Sequence, residues 1–235
     1  MATVNHELRT PLNHILGFSE LIRSGAEPED VKSYADDILT SGKNLLSIIE
    51  DVFDLALAEE AKIRIRKQSF LLMNQFQENK ASFENILQLS GKEDQINLIF
   101  KPDNKSLSGY YTADKSKINQ VLDQLFKNAI KFTDRGTIEV GLKIQNPNQL
   151  IYYIKDTGIG IPEEKLSVIF DFFRQGDDTL TRAYGGLGIG LALSLRITKL
   201  LNGSLTVESE PGKGSTFYFT VPVEVSVNSE FGLTV

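Results

Sequence analysis

Asn128-Ala129-Ile130-Lys131, Asp156-Thr157-Gly158-Ile159-Gly160 and Gly186-Leu187-Gly188-Ile189-Gly190 occur in that order along the chain. They stand well behind an N-terminal stretch that carries His6-Glu7-Leu8-Arg9-Thr10-Pro11. Each stretch alone is an ordinary surface helix or a glycine turn. In this order they outline a nucleotide site and a nucleophile for it.

Gln124 to Phe132 reads as helix, with positions 124, 128 and 131 near one face at spacings of four and three. An Asn carbonyl can ligate Mg²⁺, a cation that keeps several waters and draws its other ligands from phosphates and few protein oxygens. Lys131 can pair with a phosphate and Phe132 can cover a base; the plain alternative is a surface Asn and a capping Lys. Asp156 follows a strand, where its carboxylate can accept from the exocyclic amine of adenine. Gly158 and Gly160 let the backbone turn sharply and approach a flat ligand. Gly185 to Gly190 leads straight into a helix, whose N-terminal N–H groups favour anions, so Gly186, Gly188 and Gly190 suit phosphates. The segment lacks the Gly-Lys-Ser/Thr of a Walker A loop. A long polar stretch precedes it where a dinucleotide fingerprint has a strand. Arg174–Tyr184 reads by composition as a lid, anchored by Phe170, Phe172 and Phe173; a simple hydrophobic cluster is the alternative.

Around this centre the pattern is mixed. Gln95–Lys101, Ile138–Gln145 and Leu150–Lys155 read as strands, residues 71–90 as helix, and Asp114 as the N-cap of the helix reaching Phe132. Leu191–Leu201 is helical and stops at Asn202-Gly203. Leu205–Glu208 and Thr216–Val223 form a hairpin across Glu210-Pro211-Gly212-Lys213-Gly214, and the tail from Glu224 is expected to be loose. Strands and helices do not alternate as βαβ units, so helices on a mixed sheet are expected.

The N-terminal part is helical instead. Val4, Leu8, Leu12, Ile15 and Ile22 share a face of a helix over residues 2–24. Residues 29–59 form a second helix with Tyr34, Ile38, Leu45, Ile48, Ile49, Val52 and Leu55 apolar. A lone hairpin buries two such stripes poorly, whereas a dimeric four-helix bundle buries both. The expected domains are 1–62 for the hairpin, a charge-rich linker over 60–69, 68–223 for the mixed α/β part and 224–235 for the tail.

His6 lies opposite the apolar stripe on the helical wheel and is expected to face water. Glu7 can accept a hydrogen bond from one ring nitrogen, leaving the other nitrogen's lone pair for attack on phosphorus. Pro11 removes a helical hydrogen bond to the carbonyl of Glu7. A solvated charged face and a tolerated proline are the plain alternative.

Composition narrows the classes further. Of 235 residues 41% are hydrophobic and 24% charged, enough apolar content for a packed core. The net charge of -6, without a basic cluster, disfavours nucleic acid as a partner. The absence of cysteine excludes disulfides and thiolate metal sites. No apolar run spans a bilayer, so no membrane contact is expected of this chain. Helical pattern beginning within a few residues of Met1 suggests a piece of a longer parent. A cytoplasmic location is expected, whether that parent is soluble or a membrane-bound sensor.

His6-Glu7-Leu8-Arg9-Thr10-Pro11-Leu12, continuing through Gly17-Phe18-Ser19-Glu20-Leu21, resembles the H box of bacterial two-component sensor histidine kinases. The four later segments resemble the N, G1, F and G2 boxes of the ATP-binding domain of that family, in the same order. The resemblance implies a Bergerat-type α/β sandwich and a homodimer. It implies ATP as phosphoryl donor, His6 as phosphoacceptor and Glu7 as general base. It further implies Mg²⁺ held through Asn128, adenine bound to Asp156, Arg174 or Lys131 near phosphates, and transfer to an Asp of a response-regulator receiver domain. Glu7 and Thr10 match positions that in the family help place water when the phosphorylated regulator is dephosphorylated. Two positions depart from the pattern: Gln124 stands where the family often has Asn, and Leu187 where it usually has Thr or Ser. Hydrolytic relatives of the ATP fold typically carry a water-activating Glu where this chain has Gln124, which favours transfer to protein over hydrolysis. An adaptor that binds ATP without transfer is the third possibility.

Overall fold

The structure is a computed structural model that describes residues 2–59, 64–102, 109–171 and 188–226. Within the first two helices the side chains of residues 2–4, 6, 7, 47, 50, 51 and 54–59 lie outside that description. The chain forms two compact units, Met1–Ile63 with Asp171–Leu193, and Arg64–Phe170 with Ser194–Val235.

Helices α1 (Ala2–Arg23) and α2 (Pro28–Glu59) make a hairpin. Gly25 ends α1 with φ 98, a conformation that suits glycine, and its N–H reaches the carbonyl of Ile22 at 3.2 Å. Pro28 then opens α2, followed by Glu29 and Asp30 in the first turn, where acidic side chains meet the positive helix end. Pro11 is buried inside α1, which continues through it. Phe18 stacks on Tyr34 at 5.5 Å beside the turn, while Leu8 and Leu12 share a shallow apolar groove with Leu45 and Ile49 further along. Early residues of α1 thus meet later residues of α2, so the helices run antiparallel. Of the expected stripes Leu12 and Ile49 do not turn inward, and other apolar residues are exposed with them. Leu12 and Leu16 on α1, and Leu39, Leu46, Ile49 and Phe53 on α2, are 45% to 62% exposed. The last four fall at a period close to 3.5 and leave an apolar seam on the hairpin.

The elements that follow are β1 (Gln68–Leu71), α3 (Leu72–Leu89), β2 (Ile96–Pro102), β3 (Tyr110–Ala113), α4 (Lys115–Phe132), β4 (Gly136–Asn146) and β5 (Gln149–Asp156). After them come α5 (Glu163–Leu166), α6 (Gly190–Leu200), β6 (Ser204–Glu210), β7 (Gly214–Pro222) and β8 (Glu224–Ser226). The main sheet has five strands in the order β2-β4-β5-β7-β6. β2 and β4 are parallel and the remaining pairs antiparallel, so the sheet is mixed, as expected. Helices α3 and α4 pack on each other, on β2 and on β5. Their contact is centred on Phe83 and Phe126, stacked at 4.3 Å with no exposed surface.

Alternation along β5 decides what the core contains. Leu150, Tyr152 and Ile154 point into it and are at most 1% exposed. Tyr152 donates to Gln75 Oε1 at 2.6 Å, and Gln75 Nε2 donates to Asn119 Oδ1 at 3.0 Å, so these polar groups of β5, α3 and α4 satisfy one another. On the other face Tyr153 lies over Gly141, where a Cβ would come within 2.0 Å of the ring. Tyr153 donates there to Glu139 at 2.8 Å, and Lys101 pairs with the same carboxylate at 2.6 Å.

Two expectations need correcting. The tail from Glu224 is not loose at its start: Glu224–Ser226 form β8, paired with β3. The end of the expected linker, Gln68-Ser69, belongs to β1, so β1-β3-β8 make a second, three-stranded sheet. Strands of three or four residues carry too little alternation to be read locally, and their partners lie far away in sequence. The stop after α6 is as expected but divided between two residues. Asn202 takes the left-handed conformation, φ 57, and Gly203 N bonds the carbonyl of Thr198 at 2.9 Å. A Cβ on Gly203 would come within 2.2 Å of the carbonyl of Thr220.

Asp114 caps α4 through Oδ1, which accepts from Lys117 N at 3.0 Å, while Oδ2 accepts from Arg66 N at 2.7 Å. Replacing this buried carboxylate by Ala removes a helix cap and strands a backbone donor. The change Asp114→Ala is expected to cost about 2 kcal/mol, read as a lowered calorimetric transition for the α/β unit.

Candidate functional site

Burial along β5 sets the position of the key carboxylate. Asp156 is the next residue inward after Leu150, Tyr152 and Ile154, and it is 5% exposed. The strand therefore carries an acid into a place its pattern fills with apolar groups. Gly158 N donates to Oδ1 at 2.8 Å and Ser215 N donates to the same oxygen at 3.3 Å. Burial pushes the Asp156 carboxyl above the ordinary carboxylate range, and the backbone N–H groups of Gly158, Ser215 and Asp156 itself pull it part of the way back. Both bonds end on Oδ1, which leaves Oδ2 able to accept from a ligand amine.

The turn after Asp156 is pinned on two sides by close backbone approach. A Cβ on Gly158 would lie 2.1 Å from the carbonyl of Phe132, and Ile159 N donates to that carbonyl at 3.2 Å. Gly160, at φ 68, passes so near the β6–β7 hairpin that a Cβ would lie 2.1 Å from the carbonyl of Glu210. Gly212 N donates across this gap to the carbonyl of Ile159 at 2.8 Å. From the hairpin side, Gly214 passes within 2.0 Å of the Asp156 carbonyl, measured from the Cβ it lacks. Space requires glycine at Gly158, Gly160 and Gly214, and at the last two the backbone angle does as well.

Helix α4 supplies the neighbouring wall. Its buried residues, Ile118, Val121, Leu122, Leu125, Phe126, Ala129 and Ile130, face the core. Gln124, Asn128, Lys131 and Phe132 are half-buried at its margin. The Lys131 ammonium lies 5.0 Å from the centre of the Phe132 ring. The far end of the helix is closed by Lys92, whose Nζ donates to the carbonyls of Ile130 at 3.1 Å and Thr133 at 2.9 Å. Asn128, Lys131, Phe132, Asp156, Gly158 and Gly160 thus belong to one compact unit, in which Phe132 and the Asp156 turn are in direct contact.

The remaining candidates are placed less completely. Gly188 has φ 65 and Gly190 is the first residue of α6, where Leu193 N bonds the carbonyl of Ile189 at 2.8 Å. Arg174, Gly186, Phe172 and Phe173 lie outside the described residues. His6 and Glu7 are on α1, their side chains outside the description, so the expected exposure of His6 concerns an undescribed side chain. Thr10, one turn along α1 from His6, is exposed. The hairpin residues Gly212, Gly214 and Ser215 were legible in sequence only as a turn. Glycines at i and i+2 repeat the spacing of Gly158 and Gly160, and that repetition is the signal that marks them.

Comparison with known proteins agrees with both halves. Residues 1–61 match the family described as His Kinase A (phospho-acceptor) domain. Residues 113–225 match the family described as Histidine kinase-, DNA gyrase B-, and HSP90-like ATPase. The chain is 36% identical over 230 residues to the autoinducer 2 sensor kinase/phosphatase LuxQ of Vibrio vulnificus, a match over 95% of this chain and 26% of that protein. It therefore spans about a quarter of the length of the curated relatives it matches. The crystal structure of full-length ShkA in complex with AMPPNP superposes with TM-score 0.71 at 26% identity, over 96% of this chain and 46% of that one. Histidine kinase ThkA, solved in complex with response regulator protein TrrA, gives TM-score 0.66 at 25% identity, over 94% and 60%. A helical hairpin of the phospho-acceptor kind, followed by an ATPase-like sandwich with a buried acid in its glycine turn, makes this chain a member of the two-component sensor histidine kinase family, of which it carries the catalytic core.

Proposed function

We propose that this chain transfers the terminal phosphoryl group of ATP to the imidazole of His6, and from there to an Asp of a response-regulator receiver domain. The observation that carries the nucleotide half is Asp156, a desolvated carboxylate with one oxygen held by backbone and the other available to adenine. The observation that carries the acceptor half is the phospho-acceptor match over residues 1–61, which contains His6.

ATP supplies the phosphoryl group, and Mg²⁺ neutralises charge on its phosphates. Asp156 accepts from the adenine amine, and Phe132 covers the base. The Asn128 carboxamide offers an oxygen to the metal. A single carboxamide oxygen suits a metal ligated mainly by phosphate and water. Lys131 and Arg174 meet phosphate charge, and Gly186, Gly188 and Gly190 present backbone N–H groups at the start of α6. Glu7 accepts a proton from one imidazole nitrogen of His6 and so keeps the lone pair on the other. The linker that begins at residue 60 and ends before β1 is the proposed hinge between hairpin 1–62 and catalytic domain 68–223. Dephosphorylation of the regulator through Glu7 and Thr10 is part of the same reading; the LuxQ relative is named kinase/phosphatase.

The exposed seam of Leu39, Leu46, Ile49 and Phe53 supports a homodimer in which two hairpins form a four-helix bundle. No helix among the described residues is long and apolar enough to cross a membrane. The proposed location is the cytoplasm, where ATP is present, with the parent chain free to be anchored elsewhere.

Incubation with γ-labelled ATP and Mg²⁺ is expected to leave acid-labile, alkali-stable label on the protein, absent from His6→Ala. Free phosphate without labelled protein would instead identify a hydrolase, and neither product an ATP-binding adaptor. The Asp156→Asn variant keeps an acceptor for Gly158 N and Ser215 N but loses the charge. Because the folded carboxyl has a raised pKa, its ionised form opposes folding above that raised value, and the opposition fades as pH falls towards the unfolded value. The variant is therefore expected to melt no lower than wild type at pH 7, to lose that advantage in acid, and to bind ATP at least about tenfold more weakly. Placing charge on the seam with Leu46→Glu and Phe53→Glu together is expected to give monomers in sedimentation equilibrium.

A further inference from the structure

Ser209 lies one residue before the end of β6, outside every segment that carries a candidate ligand contact. Its hydroxyl nevertheless has three partners. Ile161 N donates to Oγ at 2.8 Å, Oγ donates to the carbonyl of Gly214 at 3.0 Å, and Ser215 Oγ lies 2.9 Å away. A serine hydroxyl has one proton and two lone pairs. With the proton directed at Gly214 and one lone pair at Ile161, the Ser215 hydroxyl must be the donor in the third contact. One oxygen therefore ties the end of the Asp156–Ile161 turn to the two hairpin residues that touch Asp156. Of these, Gly214 runs against the Asp156 carbonyl, and Ser215 sends its N–H to Asp156 Oδ1. That last bond, at 3.3 Å, is longer than its companion from Gly158 at 2.8 Å, so a small shift of the hairpin would break it first.

We propose that Ser209 is a positioning residue for adenine recognition: its hydroxyl clips the glycine turn to the β6–β7 hairpin and fixes the Asp156 carboxylate against its backbone donors. The inference rests on the reading of Asp156 as the adenine acceptor. A role confined to satisfying buried polar groups would alter stability and leave the split between binding and turnover untouched.

The test uses the full chain and AMPPNP with Mg²⁺ in titration calorimetry, alongside labelling rates at saturating ATP. Ser209→Ala is expected to weaken AMPPNP about tenfold while keeping the saturating rate within about twofold. Ser209→Thr should restore affinity to within about twofold, since a threonine hydroxyl fits a strand and can reach the same partners. Ser215→Ala keeps the backbone N–H and loses the hydroxyl, and a loss of about threefold is expected; it also serves if Ser209→Ala does not fold. Unchanged affinity in Ser209→Ala, or in Ser215→Ala where the former does not fold, overturns the proposal. So does a deficit that Thr fails to repair, or a fall in the saturating rate with affinity intact. Asp156→Asn separates the two readings. If it binds as wild type does, the adenine assignment fails and this inference with it. If it alone is impaired, only the role of Ser209 is lost.

Discussion

A carboxylate taken out of water needs donors that cannot drift away, and among the described residues Asp156 finds them in backbone N–H groups. Gly158 comes from the turn that Asp156 itself begins, but Ser215 belongs to a hairpin fifty-nine residues later. The two can meet only because Gly158, Gly160 and Gly214 permit approaches at which any Cβ would overlap a carbonyl. The C-terminal carbonyl of α4, at Phe132, is drawn into the same contact through Ile159 N. The helix that presents Asn128 and the strand that presents Asp156 are thereby fixed to each other without any side-chain salt bridge among these contacts. Such an arrangement is rigid in the manner that binding sites require, because its spacing is set by backbone rather than by rotamers.

The hairpin unit obeys a different logic. Its turn is well specified by Gly25, Pro28 and the acidic first turn of α2, yet its apolar surface is larger than its own interior can cover. In the proposed homodimer the seam left by two helices is closed by a second copy, which would tie the stability of this unit to association. The catalytic-core family to which the chain belongs combines this associating element with a self-sufficient sandwich. Among the described residues the sandwich has a core whose buried apolar side chains run from Phe70 to Val223, and internal partners for buried Gln75 and Tyr152.

Much of this was legible in the residues. Both long helices, the cap at Asp114, the β6–β7 hairpin and the stop at Asn202-Gly203 follow from local chemistry, and each is found within a residue or two of its expected place. Asp156 was legible as well, through its position at the end of an alternating strand and before Gly158 and Gly160. What escaped is non-local. β1, β3 and β8 are each too short to announce a strand, and only their pairing with one another makes them one. Ser209 escaped for a related reason: its partners are Ile161, far upstream, and two residues beyond a turn. No window along the chain contains all of them.

The small sheet settles how force passes through the α/β unit. β1 and β8 flank β3 and run parallel to each other, with Lys67 bonded to Glu224 at 2.6 Å beside them. The first and last described strands of the unit thus lie in one small sheet, on either side of β3. Tension applied between Gln68 and Ser226 would be borne by the hydrogen bonds of these three strands before it reached the five-stranded sheet. The five-stranded sheet, with Asp156 at the end of β5, lies off that path and is mechanically shielded.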